Sequence, residues 1–160
     1  MQISITEAQR KDAAEILALQ KLAYRSEAEL YGDWEIPPLT QTLAEIEAEF
    51  DSKLFLRAIA DDQIVGSVRA SLADGCCSIG RLIVHPNCQR KGIGTQLMHR
   101  IEASFPEAKR YEVFTGSRSH GNLALYRRLG YQITHEKDLS PNVRLSFMAK
   151  PQRDGERSSH

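Results

Sequence analysis

The segment GRLIVHPNCQRKGIGTQLMHRIEASF, residues 80–105, constrains the fold more than any other part of the chain. It passes from a β-branched apolar run, through a loop rich in amides, positive charge and glycine, into an amphipathic helix. A helix N-terminus offers unpaired N–H groups and the positive end of a dipole, and glycines let a bulky anion approach the backbone. The loop therefore predicts a binding site for a diphosphate.

Two well-known phosphate loops do not match this segment. A dinucleotide fingerprint needs a glycine at the position of Leu97, and a P-loop needs Gly-Lys-Ser/Thr, whereas Lys91 precedes its glycine. Without further context, the pattern Q-x-x-G-x-G is also compatible with an ordinary strand-to-helix turn that carries surface charges.

The periodicity of apolar residues predicts the element order β α α β β β α β α β β. Alternation predicts a first strand at residues 2–6 and a three-stranded meander over residues 54–84. Two helices joined by a kinked loop are expected between them, the first opened by Asp12 and the second capped by Thr42 and Glu45. The chain is thus predicted to form an α/β fold.

Length and composition predict one domain over residues 1–150 and a disordered tail over residues 151–160, which has almost nothing to bury. Lys plus Arg and Asp plus Glu number 21 each, so no overall charge draws the protein to nucleic acid or to a membrane surface. No apolar run approaches a membrane span, and the N-terminus lacks the apolar centre of a signal peptide. We therefore expect a cytoplasmic protein that binds neither nucleic acid nor membrane.

A metal site is not expected. His85 and Cys88 lie three residues apart, but no second Cys/His pair at ligand spacing follows them.

Residues 82–98, LIVHPNCQRKGIGTQLM, resemble the acyl-CoA-binding motif of the GNAT superfamily of N-acyltransferases, with Gln89, Gly92 and Gly94 in its pattern Q/R-x-x-G-x-G/A. The predicted element order over residues 2–150 and the downstream segment NLALYRRLGYQ also resemble this family. The resemblance implies a GNAT fold, a mixed and mostly antiparallel twisted sheet of about seven strands with four flanking helices. It also implies splayed strands at the acyl-CoA site.

The resemblance implies acetyl-CoA as cosubstrate. Its pyrophosphate would bind the main-chain amides of the loop, its thioester carbonyl would be polarised by a backbone N–H of the preceding strand, and its pantetheine arm would contact the segment before the second motif. The implied acyl-CoA-binding residues are Leu82, Ile83, Val84, Gln89, Arg90, Lys91, Gly92, Ile93, Gly94, Thr95, Ser119 and Asn122.

Tyr126 occupies the position of the family's usual general acid. A phenol of pKa about 10 can protonate a thiolate whose conjugate acid has a pKa of about 8.5. Without the motif, a tyrosine packed beside Leu125 and Leu129 would be the simpler interpretation.

The general base is less clearly marked, because the strand CCSIGRLIV lacks the glutamate that many relatives carry there. Glu112 is the alternative, since ribosomal-protein N-terminal acetyltransferases of the family use the acid of a Glu-Val pair on the next strand. A surface glutamate paired with an arginine, or a water relay, is equally compatible with the sequence.

The acceptor side of the cleft is expected over the first two helices and their connection, YRSEAELYGDWEIPPL. An acid beside an aromatic ring suits a cationic amine, and the candidates are Tyr31, Asp33, Trp34 and Glu35. The alternative is that Trp34 anchors the loop in the core while the acids face water.

These features predict an acetyl-CoA-dependent N-acetyltransferase that acts on a primary amine of a small molecule by direct attack on the thioester. The alternatives are a protein N-terminal acetyltransferase and a non-catalytic coenzyme A-binding sensor or partner module. The sequence is also compatible with a homodimer.

Overall fold

A seven-stranded sheet forms the centre of the structure, a computed structural model that describes residues 2–152, with strand order β1-β2-β3-β4-β5-β7-β6. Only β4 and β5 are parallel; every other neighbouring pair is antiparallel. The predicted mixed, mostly antiparallel α/β fold is therefore confirmed. The strands are β1 Ser4–Glu7, β2 Leu54–Ala60, β3 Gln63–Ala73, β4 Cys76–Val84, β5 Arg110–Gly116, β6 Gln132–Ser140 and β7 Val143–Pro151.

Six α-helices flank this sheet within residues 2–152, where the sequence predicts four, and there are also two short 3-10 helices at Arg10–Asp12 and Pro86–Cys88. The α-helices are α1 Ala13–Ala23, α2 Arg25–Tyr31, α3 Pro37–Thr40, α4 Leu43–Glu49, α5 Ile93–Ala103 and α6 His120–Arg128. The difference lies before β2. Tyr24, at φ −85° and ψ 2°, separates α1 from α2, and Pro37 and Pro38 open the short α3 instead of only ending a helix.

The helices cover both faces of the sheet. Ile93, Leu97 and Ile101 of α5 are buried against one face in the largest core cluster, which also includes Tyr126 of α6. Helices α1 and α4 pack on the opposite face through a second cluster that includes Ile16. The ligand loop and the predicted acceptor helices therefore lie on opposite sides of the sheet, and a site that uses both must pass through it.

Local turn chemistry follows the sequence closely. Asp61 and Asp62, like Asp74 and Gly75, adopt left-handed conformations in the two tight turns of the meander. Helix α4 begins with the expected capping box, in which Thr42 Oγ1 accepts a hydrogen bond from the Glu45 N–H at 3.2 Å and the Thr42 N–H donates to the Glu45 carboxylate at 2.8 Å. The predicted meander and the predicted cap of the helix at Thr42 are therefore confirmed.

An opening between β4 and β5 interrupts the sheet. Their ladder covers only residues 76–78 and 110–112. On the other edge of β4, Gly80 pairs with Arg69 and Ile83 pairs with Ser67, so two residues of β4 oppose one of β3. Arg81 forms this bulge at φ +51°, a conformation that costs a non-glycine residue about 1 kcal/mol or more. The predicted splayed strands are present.

The folded region extends beyond residue 150, where the sequence analysis placed the start of a disordered tail. Pro151 belongs to β7, and the buried Gln152 side chain donates a hydrogen bond from Nε2 to the Pro106 carbonyl at 3.0 Å. The rest of the predicted tail, residues 153–160, lies outside the described residues. Among residues 2–152, no helix is long and apolar enough to cross a membrane.

A buried ion pair attaches α4 to the sheet. Arg69 of β3 has only 3% of its side chain exposed and donates to Glu49 Oε2 at 3.0 Å. Its guanidinium also hydrogen-bonds the Gln20 side chain and lies 4.8 Å from the centre of the Phe55 ring. Burial opposes ionisation of Glu49, but hydrogen bonding to Lys53 and the charge of Arg69 outweigh it and lower its pKa.

We expect Glu49→Gln to lower the free energy of unfolding by about 3 kcal/mol, because it leaves a buried guanidinium without its counter-ion. The matched control is Lys53→Met. Lys53 pairs with the same carboxylate at 2.8 Å but is 37% exposed, so this change should cost less than about 1 kcal/mol. Urea denaturation of both variants, of Arg69→Met and of the double variant Glu49→Gln/Arg69→Met measures the effect. The double variant should lose less than the sum of its single changes, and strictly additive losses would contradict the pairing.

Candidate active site

A cleft of about 370 Å³ lies where β4 and β5 separate. One wall comes from the helices before β2, through Tyr24, Glu27 and Tyr31. The hairpin of β6 and β7 also lines the cleft, and its Val143 packs against Tyr31 of α2. Tyr126 of α6 lines the same cleft. The sheet opening thus gives the coenzyme-loop side and the acceptor side a common cavity.

Tyr126 is buried, with 5% of its surface exposed, and its ring packs edge-on against Tyr131 at 5.9 Å between centroids. Burial raises the pKa of its hydroxyl, and the nearby groups of Tyr24 and Glu27 raise it further. Within residues 2–152 this hydroxyl makes no hydrogen bond, unlike the Tyr131 hydroxyl, which donates to Glu102 at 2.6 Å. Tyr126 therefore keeps its proton and presents it to a ligand.

Glu112 does not lie in the cleft lining. It sits on β5 opposite Ser78, at the last pair of the β4–β5 ladder, and its half-exposed carboxylate forms an ion pair with Arg110. The structure thus does not bring Glu112 and Tyr126 together around the cavity, and a catalytic role for Glu112 stays a prediction.

Glu27 is the carboxylate that the cleft presents near Tyr126, and the sequence analysis missed it. Its Oε2 accepts a hydrogen bond from Ser119 Oγ at 2.5 Å, and Ser119 Oγ lies 3.1 Å from the Tyr31 hydroxyl. The Tyr31 hydroxyl in turn accepts a hydrogen bond from the Arg118 N–H at 2.8 Å. Tyr24, Glu27 and Tyr31 recur at near-helical spacing, a signal that could have placed all three on one face.

The two residues predicted to contact the pantetheine arm, Ser119 and Asn122, both hydrogen-bond other side chains of the protein. Ser119 is buried and is hydrogen-bonded to Glu27. Asn122 lines the cleft and donates from Nδ2 to Thr115 Oγ1 at 3.2 Å. Asn122 is therefore the one of the pair with direct access to a molecule in the cavity.

The predicted phosphate loop presents its backbone outward. Gln89, Arg90 and Lys91 are exposed, and Gly92 caps the N-terminus of α5 at φ +79° with open space around it. A Cβ at Gly94 would meet the Leu125 side chain at 3.5 Å, an ordinary contact distance. Two more of the predicted acyl-CoA-binding residues lie in the first turn of α5. Ile93 is buried and Thr95 is half-buried. These features fit a bound diphosphate, because main-chain donors and two cationic side chains face solvent together.

Strand β4 contributes its main chain. Leu82 and Val84 pack their side chains toward the core on the α5 side, and Ile83 packs in the cluster on the opposite face. The β4–β5 ladder ends at Ser78, so the edge of β4 beyond it has no β5 partner. This is the arrangement from which a backbone N–H could polarise a thioester carbonyl.

Of the four predicted acceptor residues, only Tyr31 lines the cleft. Asp33 accepts hydrogen bonds from the Glu35 N–H at 2.9 Å and from Ser140 Oγ at 3.3 Å, and Glu35 itself is exposed. Trp34 is 52% exposed, so the alternative in which it anchors the loop in the core is wrong. The reason is local: Gly32, at φ +63°, ends α2 and directs the chain outward before α3.

The charges in the cleft are predominantly basic on the side of β3 and β4. Arg69 and Lys53 are balanced there by Glu49, whereas Arg81 of the bulge has no ion pair within residues 2–152. In the same part of the chain, no group of three His, Cys, Asp or Glu side chains is arranged to hold a metal ion.

The family model described as the acetyltransferase (GNAT) family matches residues 14–131, and the chain belongs to this family. The predicted membership of the GNAT superfamily is therefore confirmed. The protein UPF0157 YqkA of Bacillus subtilis is 32% identical over 120 residues, which are 75% of this chain and 34% of that protein. The chain thus spans about a third of the length of this relative.

Solved structures share the fold at lower identity. PaiA N-acetyltransferase from Thermoplasma acidophilum, in complex with coenzyme A, is 16% identical with a TM-score of 0.77, over 94% of this chain and 99% of that one. YncA from Salmonella typhimurium, with acetyl-CoA, is 17% identical with a TM-score of 0.74, over 95% of each chain.

We expect Gly92→Asp to abolish acetyl-CoA binding, because it places a negative charge where the loop would meet the pyrophosphate. Gly92→Asn is the matched control, since asparagine has the same size and tolerates the left-handed conformation without the charge. Calorimetric titration should find that the Asn variant retains much of the wild-type affinity. Equal affinity of a folded Gly92→Asp variant and the wild type would place the phosphates elsewhere.

Proposed function

We propose that this protein is an acetyl-CoA-dependent N-acetyltransferase that transfers an acetyl group to a primary amine of a small molecule. The observation that carries the proposal is the hydroxyl of the largely buried Tyr126, which is accessible from the cleft at the opening between β4 and β5 and makes no hydrogen bond within residues 2–152. A purely structural tyrosine at this depth would be expected to satisfy its hydroxyl within the protein, as Tyr131 does.

The reaction is a direct transfer. The neutral amine attacks the thioester carbonyl carbon, a C–N bond forms and the C–S bond breaks. A main-chain N–H at the unpaired edge of residues 82–84 stabilises the negative charge that develops on the oxygen. The departing thiolate takes the proton of Tyr126, whose raised pKa keeps it protonated until that moment.

The amine also needs to lose protons. Glu27, which already accepts a hydrogen bond from Ser119, offers a negative charge that attracts a cationic amine into the cleft. We assign the removal of the proton to water, with Glu112 as the alternative base, because the ion-paired Glu112 could act only through water.

The shape of the cleft favours a small acceptor over a protein N-terminus. Its volume of about 370 Å³ lies near the lower end of the range for small-molecule sites, and α3 and the β6–β7 hairpin wall it on two sides through Pro38 and Leu145. The structures of the relatives with coenzyme A and with acetyl-CoA support the choice of cosubstrate.

A panel of primary amines offered with acetyl-CoA tests the proposed activity. Release of the free thiol should accompany an increase in product mass by one acetyl group for at least one small amine. Acetylation of peptides with free N-termini, but of no small amine, would favour the N-terminal acetyltransferase. Binding of acetyl-CoA without any product would indicate the non-catalytic alternative.

We expect Tyr126→Phe to reduce kcat by about tenfold to a thousandfold while the affinity for acetyl-CoA changes little, because only the proton donor is lost. Tyr111→Phe is the matched control. Its hydroxyl donates to the carbonyls of Glu102 and Phe105, outside the cleft lining, so this variant should keep its turnover. Single-turnover measurements isolate the chemical step, and wild-type rates in the Tyr126→Phe variant would remove Tyr126 from the catalytic role.

A further inference from the structure

An arginine occupies the bulge of β4, in a strand that is otherwise mostly small or apolar. Cys77 and Ile79 face the core on the α5 side, and so do Leu82 and Val84. Regular alternation from Ile79 would place residue 81 on that same side. Instead, the extra residue and its φ of +51° shift the phase, and Arg81 lines the cleft beside Tyr24 on the acceptor side.

Both carboxylates of the cleft are already engaged with other partners. Glu49 forms ion pairs with Arg69 at 3.0 Å and with Lys53 at 2.8 Å, and Glu27 accepts a short hydrogen bond from Ser119. Arg81 has no ion pair among residues 2–152, although it is half-buried. A guanidinium in such a position is stabilised by an anion that enters from outside.

The charge of Arg81 acts on two neighbouring side chains, Arg69 and Tyr24. The pKa of Arg69 falls to about 10, first because of burial and also because the charge of Arg81 lies nearby. Burial raises the pKa of Tyr24, and the charge of Arg81 and its side-chain hydrogen bond oppose that rise, whereas the charge of Glu27 adds to it. A cation and an anion that line the same cavity therefore both act on the Tyr24 hydroxyl.

We propose that the acceptor carries a carboxylate near its amine, as an amino acid does, and that Arg81 binds this carboxylate while Glu27 attracts the amine. The planar guanidinium can donate two parallel hydrogen bonds to a carboxylate, which neither Glu27 nor Tyr24 can. This inference rests on the proposed acetyl transfer, because it names the class of acceptor for the same cleft. It makes Arg81 a specificity-determining residue.

Matched acceptors test the proposal. Each amino acid is offered with acetyl-CoA beside its carboxamide and its aminophosphonate analogue, which keep the amine and the side chain but change the group at Arg81. The wild-type protein should prefer the carboxylate over the carboxamide in kcat/KM. Arg81→Met should lower kcat/KM for the carboxylate by about 10- to 100-fold and leave the carboxamide almost unchanged. Arg100→Met, which removes an exposed arginine of α5 outside the cleft lining, should change neither.

Three outcomes would overturn the assignment: equal rates for acid and carboxamide in the wild type, an equal loss for both in Arg81→Met, or a preference for the phosphonate.

A binding measurement separates this inference from the proposed activity. With coenzyme A present, amino acids that bind should raise the melting temperature of the wild type, whereas their carboxamides should not, and Arg81→Met should lose the effect. If that pattern appears without any acetylated product, the acceptor class stands and the proposed reaction fails. If neither product nor a carboxylate-dependent shift is found, both fail.

Discussion

The separation of β4 from β5 is the constraint on which the rest of the structure depends. Two parallel strands that paired along their whole length would seal the sheet and separate the phosphate loop from the acceptor helices. Their ladder instead ends after three residue pairs. The bulge in β4 accompanies this separation, and it is retained although Arg81 must adopt a left-handed conformation there. Such a cost is commonly found where strain serves a ligand site.

Each face of the sheet contributes a different part of the proposed chemistry. On one face, the N-terminus of α5 presents main-chain donors beside Gly92, and the apolar side of the helix fixes the loop to the core. On the other face, Glu27 and Tyr31 of α2 reach Ser119 in the segment before α6. This second connection holds the acceptor wall against the helix that carries Tyr126. An acyl donor and an amine can therefore approach each other from opposite sides of one opening.

The parts of the fold that local chemistry decides were predictable. The strands of the meander, the Thr42 capping box and the strand–loop–helix segment depend on neighbours a few residues away, and each is found as expected. The residues on the acceptor side of the cleft were harder to predict, because they depend on which helix and strand faces come together in the folded protein. Trp34 is a clear case, since its exposure follows from the direction in which Gly32 turns the chain.

Arg81 shows why part of the site escaped prediction. In CCSIGRLIV the three apolar residues after the arginine are consecutive, so alternation cannot reveal that the phase shifts at residue 81. Glu112 is a case in which a sequence pattern indicated a site residue that the cleft does not include. The Glu-Val pair at residues 112 and 113 suggested a catalytic base, but the Glu112 carboxylate forms an ion pair with Arg110 on the same strand.

The most direct test of this account is hydrogen–deuterium exchange with and without acetyl-CoA. We assume that the opening beyond Ser78 receives the acyl arm and that the α5 N-terminus receives the pyrophosphate. The exchange rates of the amide hydrogens of residues 82–84 and 89–95 should then fall markedly when acetyl-CoA binds. Amides of residues 76–78, which already pair with β5, should change little. Protection confined to other strands, or an unchanged pattern at saturating acetyl-CoA, would contradict the central claim that the separated strands form the acyl-CoA site.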